Sequence, residues 1–227
     1  MGLLVSARVV RWFIAGALVT VALASCGGNE LTYVGNADSQ GMYFTVPSTW
    51  HGYDAKQLAV AESVWADSES GKALLESTTW QTAFDASTTP SADHVFANSA
   101  PDAPTAYASV RTLFTAEQEA AGADPSSVLR DLVVSVSTLE ASGRSDFALL
   151  TDEEISQGGF PGRHLVFRYR ETPDGPEQTV NQTAFLDPNR TTLYLMMVRC
   201  STECYNVHRT EIDSAVGSLT LKESGRG

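Results

Sequence analysis

The chain is short of positive charge. Its 227 residues carry 15 Lys and Arg against 27 Asp and Glu, a formal charge of −12 with a pI near 4.6. Phosphate backbones are held mainly by Lys and Arg, so this balance excludes a nucleic-acid partner. Spanning segments are missing as well: the apolar run from Trp12 to Ala24 has 13 residues, where a bilayer crossing needs about 20. Chemical signatures are equally scarce. There is no G-x-S-x-G nucleophile elbow, no H-E-x-x-H zinc pair and no G-x4-G-K-[ST] phosphate loop. With 43% hydrophobic and 19% charged residues, the chain is neither disordered nor a polytopic membrane protein. A length just above 200 fits one large domain, and no internal repeat is visible.

What is present begins with an address. Residues 1–25 hold Arg8 and Arg11 and no acid, followed by the short apolar run and small residues. That order describes an export signal, and a retained anchor is the competing reading that 13 residues serve poorly. Leu23-Ala24-Ser25-Cys26 then resembles the lipobox of bacterial lipoproteins, an aliphatic residue and two small ones before a Cys. The resemblance implies cleavage before Cys26 and a diacylglyceryl group on its thiol. Two acyl chains are what stable anchoring needs. The mature chain would run 202 residues from Cys26 to Gly227 with a formal charge of −14. An anionic leaflet would repel such a body, so it is expected to stand off the membrane. The division expected is therefore a lipoprotein signal peptide at 1–25, a lipidated Cys with flexible linker at 26–40, one domain at 41–222 and a polar tail at 223–227.

Three cysteines occur, Cys26, Cys200 and Cys204. With Cys26 lipidated, Cys200 and Cys204 make an even pair in an oxidising compartment. Their C-x3-C spacing can close across a turn, and a five-residue ring would stabilise by about 2 kcal/mol on the loop-entropy argument. The alternative groups Cys200, Cys204 and His208 at i, i+4, i+8 as a metal or redox cluster. The first reading predicts a structural disulfide, with no bound metal and no cofactor.

Along the mature chain, Met42–Val46 reads as a strand stopped by Pro47, and Ala55–Trp65 as a helix. Thr78–Ala86 and Thr105–Phe114 have strand composition, separated by a Pro-rich loop over 87–104. Asp124 caps a helix opened by Pro125, with an apolar stripe of Val128, Leu129, Leu132, Val133 and Val136. Arg163–Arg170, Thr179–Leu186 and Thr191–Cys200 form a meander of three strands, joined by the turns Thr172–Pro176 and Asp187–Arg190. His208, Ile212, Ala215, Val216 and Leu219 mark a closing helix, with a short strand near Ser218–Lys222. Asp152-Glu153-Glu154 lacks the oxygen pattern of a calcium loop and reads as a solvated charge run. Asn181-Gln-Thr183 matches a glycosylation sequon inside a strand. His51, His94 and His164 are scattered singly, and a lone His in a strand such as His164 reads as packed or surface rather than as a base. The class predicted is α+β, an antiparallel sheet flanked by helices.

The opening Phe44-x-Val-Pro-x-x-Trp50, the meander from Arg168 to Val198 and the closing Ile212–Leu219 segment together resemble the PsbP-like fold. Exported actinobacterial-type lipoproteins share this look. The resemblance spans residues 41–222 and implies an αβα sandwich used for binding or assembly, with no catalytic residues to carry over. The expectation is a non-enzymatic, membrane-tethered envelope lipoprotein that binds a protein or a small apolar ligand, with Trp50, Trp65 and Trp80 as candidate contact residues. Its partners would be the outer face of the bacterial cell membrane, through the lipid on Cys26, and that ligand or envelope protein.

Overall fold

The computed structural model describes residues 30–35, 41–62, 68–97, 101–131 and 135–222. The first two strands, β1 (Leu31–Gly35) and β2 (Met42–Pro47), pair antiparallel, Tyr33 opposite Thr45. Strand β1 lies in the stretch read as linker. Its five residues, Leu-Thr-Tyr-Val-Gly, include only Val34 packed against the core, which leaves no alternation to reveal the strand. At Gly35 a Cβ would meet the Tyr43 ring at 2.7 Å, so only glycine lets that ring lie flat across the strand.

Beyond them, β3 (His51–Asp54), β4 (Thr78–Asp85), β5 (Thr105–Thr112), β6 (Ala148–Gln157), β7 (Phe160–Arg170), β8 (Glu177–Leu186) and β9 (Thr192–Ser201) form a seven-stranded antiparallel sheet. Its order is β3-β4-β5-β9-β8-β7-β6. The meander is present with the turns expected. In the β8–β9 turn the Asp187 carboxylate accepts from the amides of Thr191 and Thr192, both at 2.6 Å. Arg190 there takes a left-handed φ of 60°, which disfavours most side chains. Its guanidinium reaches the carbonyls of Ala121 and Gly122 at 3.0 and 2.7 Å, which offsets that strain.

Because side chains alternate along a strand, each strand sends one set to either face. On one face Val166, Phe185, Met196, Val198, Ala106 and Ala108 pack under Met42, Phe44 and Val46 of β2, and under Ile212, Ala215 and Val216. The last three belong to α7 (Thr202–Gly217), which follows β9 directly and leads into β10 (Thr220–Leu221), paired on the other side of β2 from β1. The opposite face carries shorter helices. Here α1 (Ala55–Ala61) and α3 (Ala92–Phe96) bury Leu58 and Val95 against Tyr53 and Ala83. Next, α4 (Thr115–Ala123) and α5 (Pro125–Arg130) bury Ala121 and Leu129 against Leu186, Leu193 and Leu195. Finally, α6 (Val136–Ala141) sets Val136 on Leu165, Phe167 and Val180. Helix α2 (Glu69–Ser77), capped by Ser68, leads into β4 without burying a residue. Helices therefore lie on both faces of the sheet: the α+β class and sandwich layering are as expected.

Several local expectations need correction. The helix predicted from Asp124 through Val136 is divided. Asp124 does cap α5, accepting from the Ser126 amide, and Pro125 is its first residue. Asp131 then leaves helical geometry at φ −116°, ψ 21°, and its carboxylate accepts from the Ser137 amide at 2.8 Å. Ser135 caps α6 afresh through Thr138. Two side chains that compete for backbone amides thus stop a stripe that hydrophobic spacing alone would continue. Leu132 and Val133 lie outside the described residues, as does Trp65 at the end of the helix expected over Ala55–Trp65. Helix α3 breaks the loop expected over 87–104, and the acidic run lies on β6, where Glu153 and Glu154 are exposed as read but Asp152 is not. In β6, Asp152 accepts from Arg163 at 2.5 Å and from Arg130 at 3.0 Å, and both hold its carboxyl below the usual range, Arg163 more strongly.

Candidate functional site

A cavity of about 290 Å3 opens between the C-terminal half of α7 and strands β6, β7 and β8. Its walls come from four places in the chain. Strand β6 gives Ile155, Ser156 and Gln157; β7 gives His164; β8 gives Thr183 and Phe185; α7 and its exit give Asp213, Val216, Gly217 and Leu219. Register explains the grouping: His164 lies opposite Thr183, and Gly162 opposite Phe185. A Cβ on Gly162 would come within 2.3 Å of the Phe185 ring, so that glycine lets the ring lie down on β7 and shape the cavity.

These walls mix the apolar Ile155, Phe185, Val216 and Leu219 with the polar Ser156, Gln157 and Thr183, and one polar chain reaches them through His164 and Asp213. Asn181, fully buried on β8, donates its amide to Asp213 Oδ1 at 2.8 Å. The amide oxygen must then face the other way, where it meets His164 Nε2 at 2.9 Å. That geometry requires hydrogen on Nε2 and leaves Nδ1 of a neutral His164 as an acceptor. Glu153 Oε2 stands 3.9 Å from Nδ1. At the other end, Tyr205 donates to Asp213 Oδ1 at 2.9 Å, and Arg209 Nε lies 3.4 Å from Asp213 Oδ2. Burial, reinforced by Asp213, pushes the Tyr205 hydroxyl up to about 12, which keeps it a donor at all ordinary pH. Among the described residues His164 hydrogen-bonds to Asn181, with Glu153 nearby. The site presents an imidazole, a carboxylate and walls of mixed polarity, which suits recognition.

The residues singled out from sequence lie elsewhere. Trp50 is 6% exposed and belongs to the core beneath β2. Trp80 is half-buried against the same cluster. Trp65 and Cys26 lie outside the described residues. Cys200 and Cys204 are joined in a disulfide with Cα atoms 5.9 Å apart, at the junction of β9 and α7. Both sulfurs are thereby occupied, and His208 Nδ1 lies 3.2 Å from Glu211. No group of metal-ligating side chains occurs among the described residues. The sequon at Asn181 is sealed in the sheet, its side chain committed to the polar chain.

His164 was visible in the sequence only as a lone histidine opposite the Leu165, Phe167 and Tyr169 stripe. Pairing β7 with β8 across the Thr172–Gly175 turn would have placed it beside Asn181 and Thr183. Nothing in the sequence connects it to Asp213, which arrives on α7.

Comparison with solved structures gives distant likenesses. The chain is similar to cyanobacterial PsbP (CyanoP) from Synechocystis sp. PCC 6803, at 14% identity and a TM-score of 0.48, over 88% of this chain and 99% of that one. It is similar to LpqN, involved in cell envelope biogenesis of Mycobacterium tuberculosis, at 14% identity and a TM-score of 0.45, over 85% and 91%. It is also similar to the Saccharomyces cerevisiae Ran-binding protein Mog1p, at 9% identity and a TM-score of 0.42, over 86% and 96%. At these scores the likenesses carry no function to this chain. No family model matches the chain, and no curated protein matches it.

Proposed function

We propose that this chain is an exported binding protein, fastened to the outer face of the bacterial membrane by a lipid on Cys26, and that it acts without catalysis. Its ligand is small and largely apolar, with a hydroxyl or amide group that meets His164 and Asp213. One observation carries the reading: the cavity between α7 and β6–β8 sets the apolar Ile155, Phe185, Val216 and Leu219 beside an ordered polar chain of His164, Asn181 and Asp213. The lipobox-like Leu23–Cys26 supports the tether.

Gly217 offers a direct test. It lines the cavity, and an added Cβ would meet nothing within 4 Å. Gly217→Leu should therefore fill the space from the helix end without disturbing the fold. The purified lipoprotein is incubated with an envelope lipid extract, and the bound small molecules are identified by native mass spectrometry. Expected is a bound species on the parent protein and its loss from Gly217→Leu at unchanged melting temperature. A bound species that survives in Gly217→Leu places the site elsewhere. No bound species on either protein counts against small-ligand binding.

A further inference from the structure

We propose that the outer face of the three-stranded sheet and the adjoining flank of α7 rest on the lipid bilayer, so that the tether holds the domain in one orientation. The inference rests on lipid attachment at Cys26. Five large apolar side chains are exposed among the described residues: Leu31 at 44%, Tyr33 at 84%, Phe114 at 39%, Leu150 at 53% and Val207 at 74%. Two of them lie elsewhere, Phe114 with Arg111 over its ring and Leu150 at an irregularity of β6. The remaining three, and the two most exposed, gather on one side.

Leu31 and Tyr33 project from the same face of β1, away from Val34, which packs against the core. A groove of about 140 Å3 separates Leu31 and Pro47 from Thr210 and Ser214 of α7. Val207 stands one turn before Thr210 and Glu211, on the same flank of the helix. Isolated apolar side chains on a surface are ordinary, but a grouped set marks a contact.

The position of the anchor selects the occupant. From Cys26 to Leu31 the chain advances five residues, at most about 17 Å even when fully extended. Leu31 cannot move farther than that from the lipid glycerol, whereas the α4–α6 side lies a whole sandwich away. Charge works against the contact, in line with the stand-off expected from the mature chain's net charge. Glu30 precedes Leu31 and Glu211 lines the groove, while Lys222, bonded to Gly41 and 5.0 Å from the Tyr43 ring centre, lies at the other end of the small sheet. The apolar side chains and the short tether are what hold this face to lipid against that repulsion. Apolar side chains at the interface add to the lipid's hold and fix the tilt.

A nitroxide scan tests the seat. With Cys26 lipidated and Cys200 paired to Cys204, an added cysteine is the free thiol to label. Tyr33→Cys, Val207→Cys and Glu119→Cys, the last on exposed α4, are prepared as full lipoproteins in vesicles of phosphatidylethanolamine and phosphatidylglycerol. Relaxation by oxygen, which concentrates in lipid, is compared with relaxation by a nickel chelate, which stays in water. The expected result is an oxygen-to-nickel ratio several-fold higher at 33 and 207 than at 119. Equal ratios at all three sites on vesicle-bound protein overturn the seat and leave the anchor standing. Spin–spin broadening at 33 also overturns it, because copies would then be pairing through β1. Protein that fails to float with vesicles and lacks lipid mass on Cys26 overturns the anchor itself, and the seat with it.

Discussion

The two faces of the seven-stranded sheet are covered by different means. On one, a single 16-residue helix and a small sheet lay down a continuous apolar layer, in which Ile212 is fully buried and Val216 and Ala215 nearly so. On the other, among the described residues, five helices of five to nine residues each bury one side chain or little more. Helices so short are not stable by themselves. Arginines from the strands and turns tie them down. Arg111 binds Glu117 through two bonds of 2.6 and 2.7 Å, Arg190 takes the last carbonyls of α4, and Arg199 takes those of α3 and its cap at 2.5 to 3.3 Å. Arg130 and Arg163 meet on Asp152, which fixes α5 to the sheet edge. One face is thus held by area and the other by direction. Area tolerates sliding; directed bonds set each piece in place.

Cutting the apolar layer should cost most. Ile212→Ala removes a fully buried side chain beneath α7, and a loss of about 3 kcal/mol is expected from urea unfolding. A loss under about 1 kcal/mol would show that α7 is not the dominant layer. Arg199→Met keeps bulk while stranding the carbonyls of His94, Val95 and Ala97. About 2 kcal/mol should be lost, with hydrogen exchange rising selectively in α3. Uniform exchange would mean that the patchwork unfolds as one unit and the contrast between faces is false.

Reducing the Cys200–Cys204 bond should cost about 2 kcal/mol or less, since the ring is small. Thiol titration of the native protein should find neither sulfur free. The smallest effect separates the faces by pH. Asp152, held down by Arg163 and then Arg130, has a folded pKa below its unfolded value. Its contribution is therefore complete above the ordinary carboxylate range and disappears as pH falls through about 4 toward the folded value. Asp85 adds to the same slope: burial raises its carboxyl, but bonds from Ser87, Ser91 and His94 outweigh burial and lower it. Asp152→Asn should lose about 1 kcal/mol at neutral pH and flatten part of the acid limb. Ile212→Ala should leave that limb's shape unchanged.

This division also explains what could be read in advance. The β7–β8–β9 meander and α7 were legible because alternation and helical spacing report area buried on a face, as at Leu165, Phe167 and Tyr169 or Ile212, Ala215 and Val216. The patchwork was not, because its determinants are partners distant in sequence. Asp131 stops α5 by accepting from Ser137, and Asp152 becomes a strand residue facing two arginines rather than a solvated acid. Helices α2, α3 and α4 bury at most one residue each and leave no stripe to detect. The cavity shares this difficulty. His164 and Asn181 could be aligned by counting back from one turn, but Asp213 joins them only when α7 settles.

Strand β2 sits between the first strand and the last, so β1 and β10 run on either side of it about 10 Å apart. Both run antiparallel to β2, so the chain enters at Leu31, opposite Pro47, and Lys222, its amide bonded to the Gly41 carbonyl at 2.8 Å, leaves at the other end of the small sheet. A reporter or affinity handle continuing from Lys222 would thus start a strand's length away from the segment that leads to Cys26. The turn after α6, where Gly143 at φ 63° has open space around it, offers a second place to graft one, on the opposite face of the large sheet.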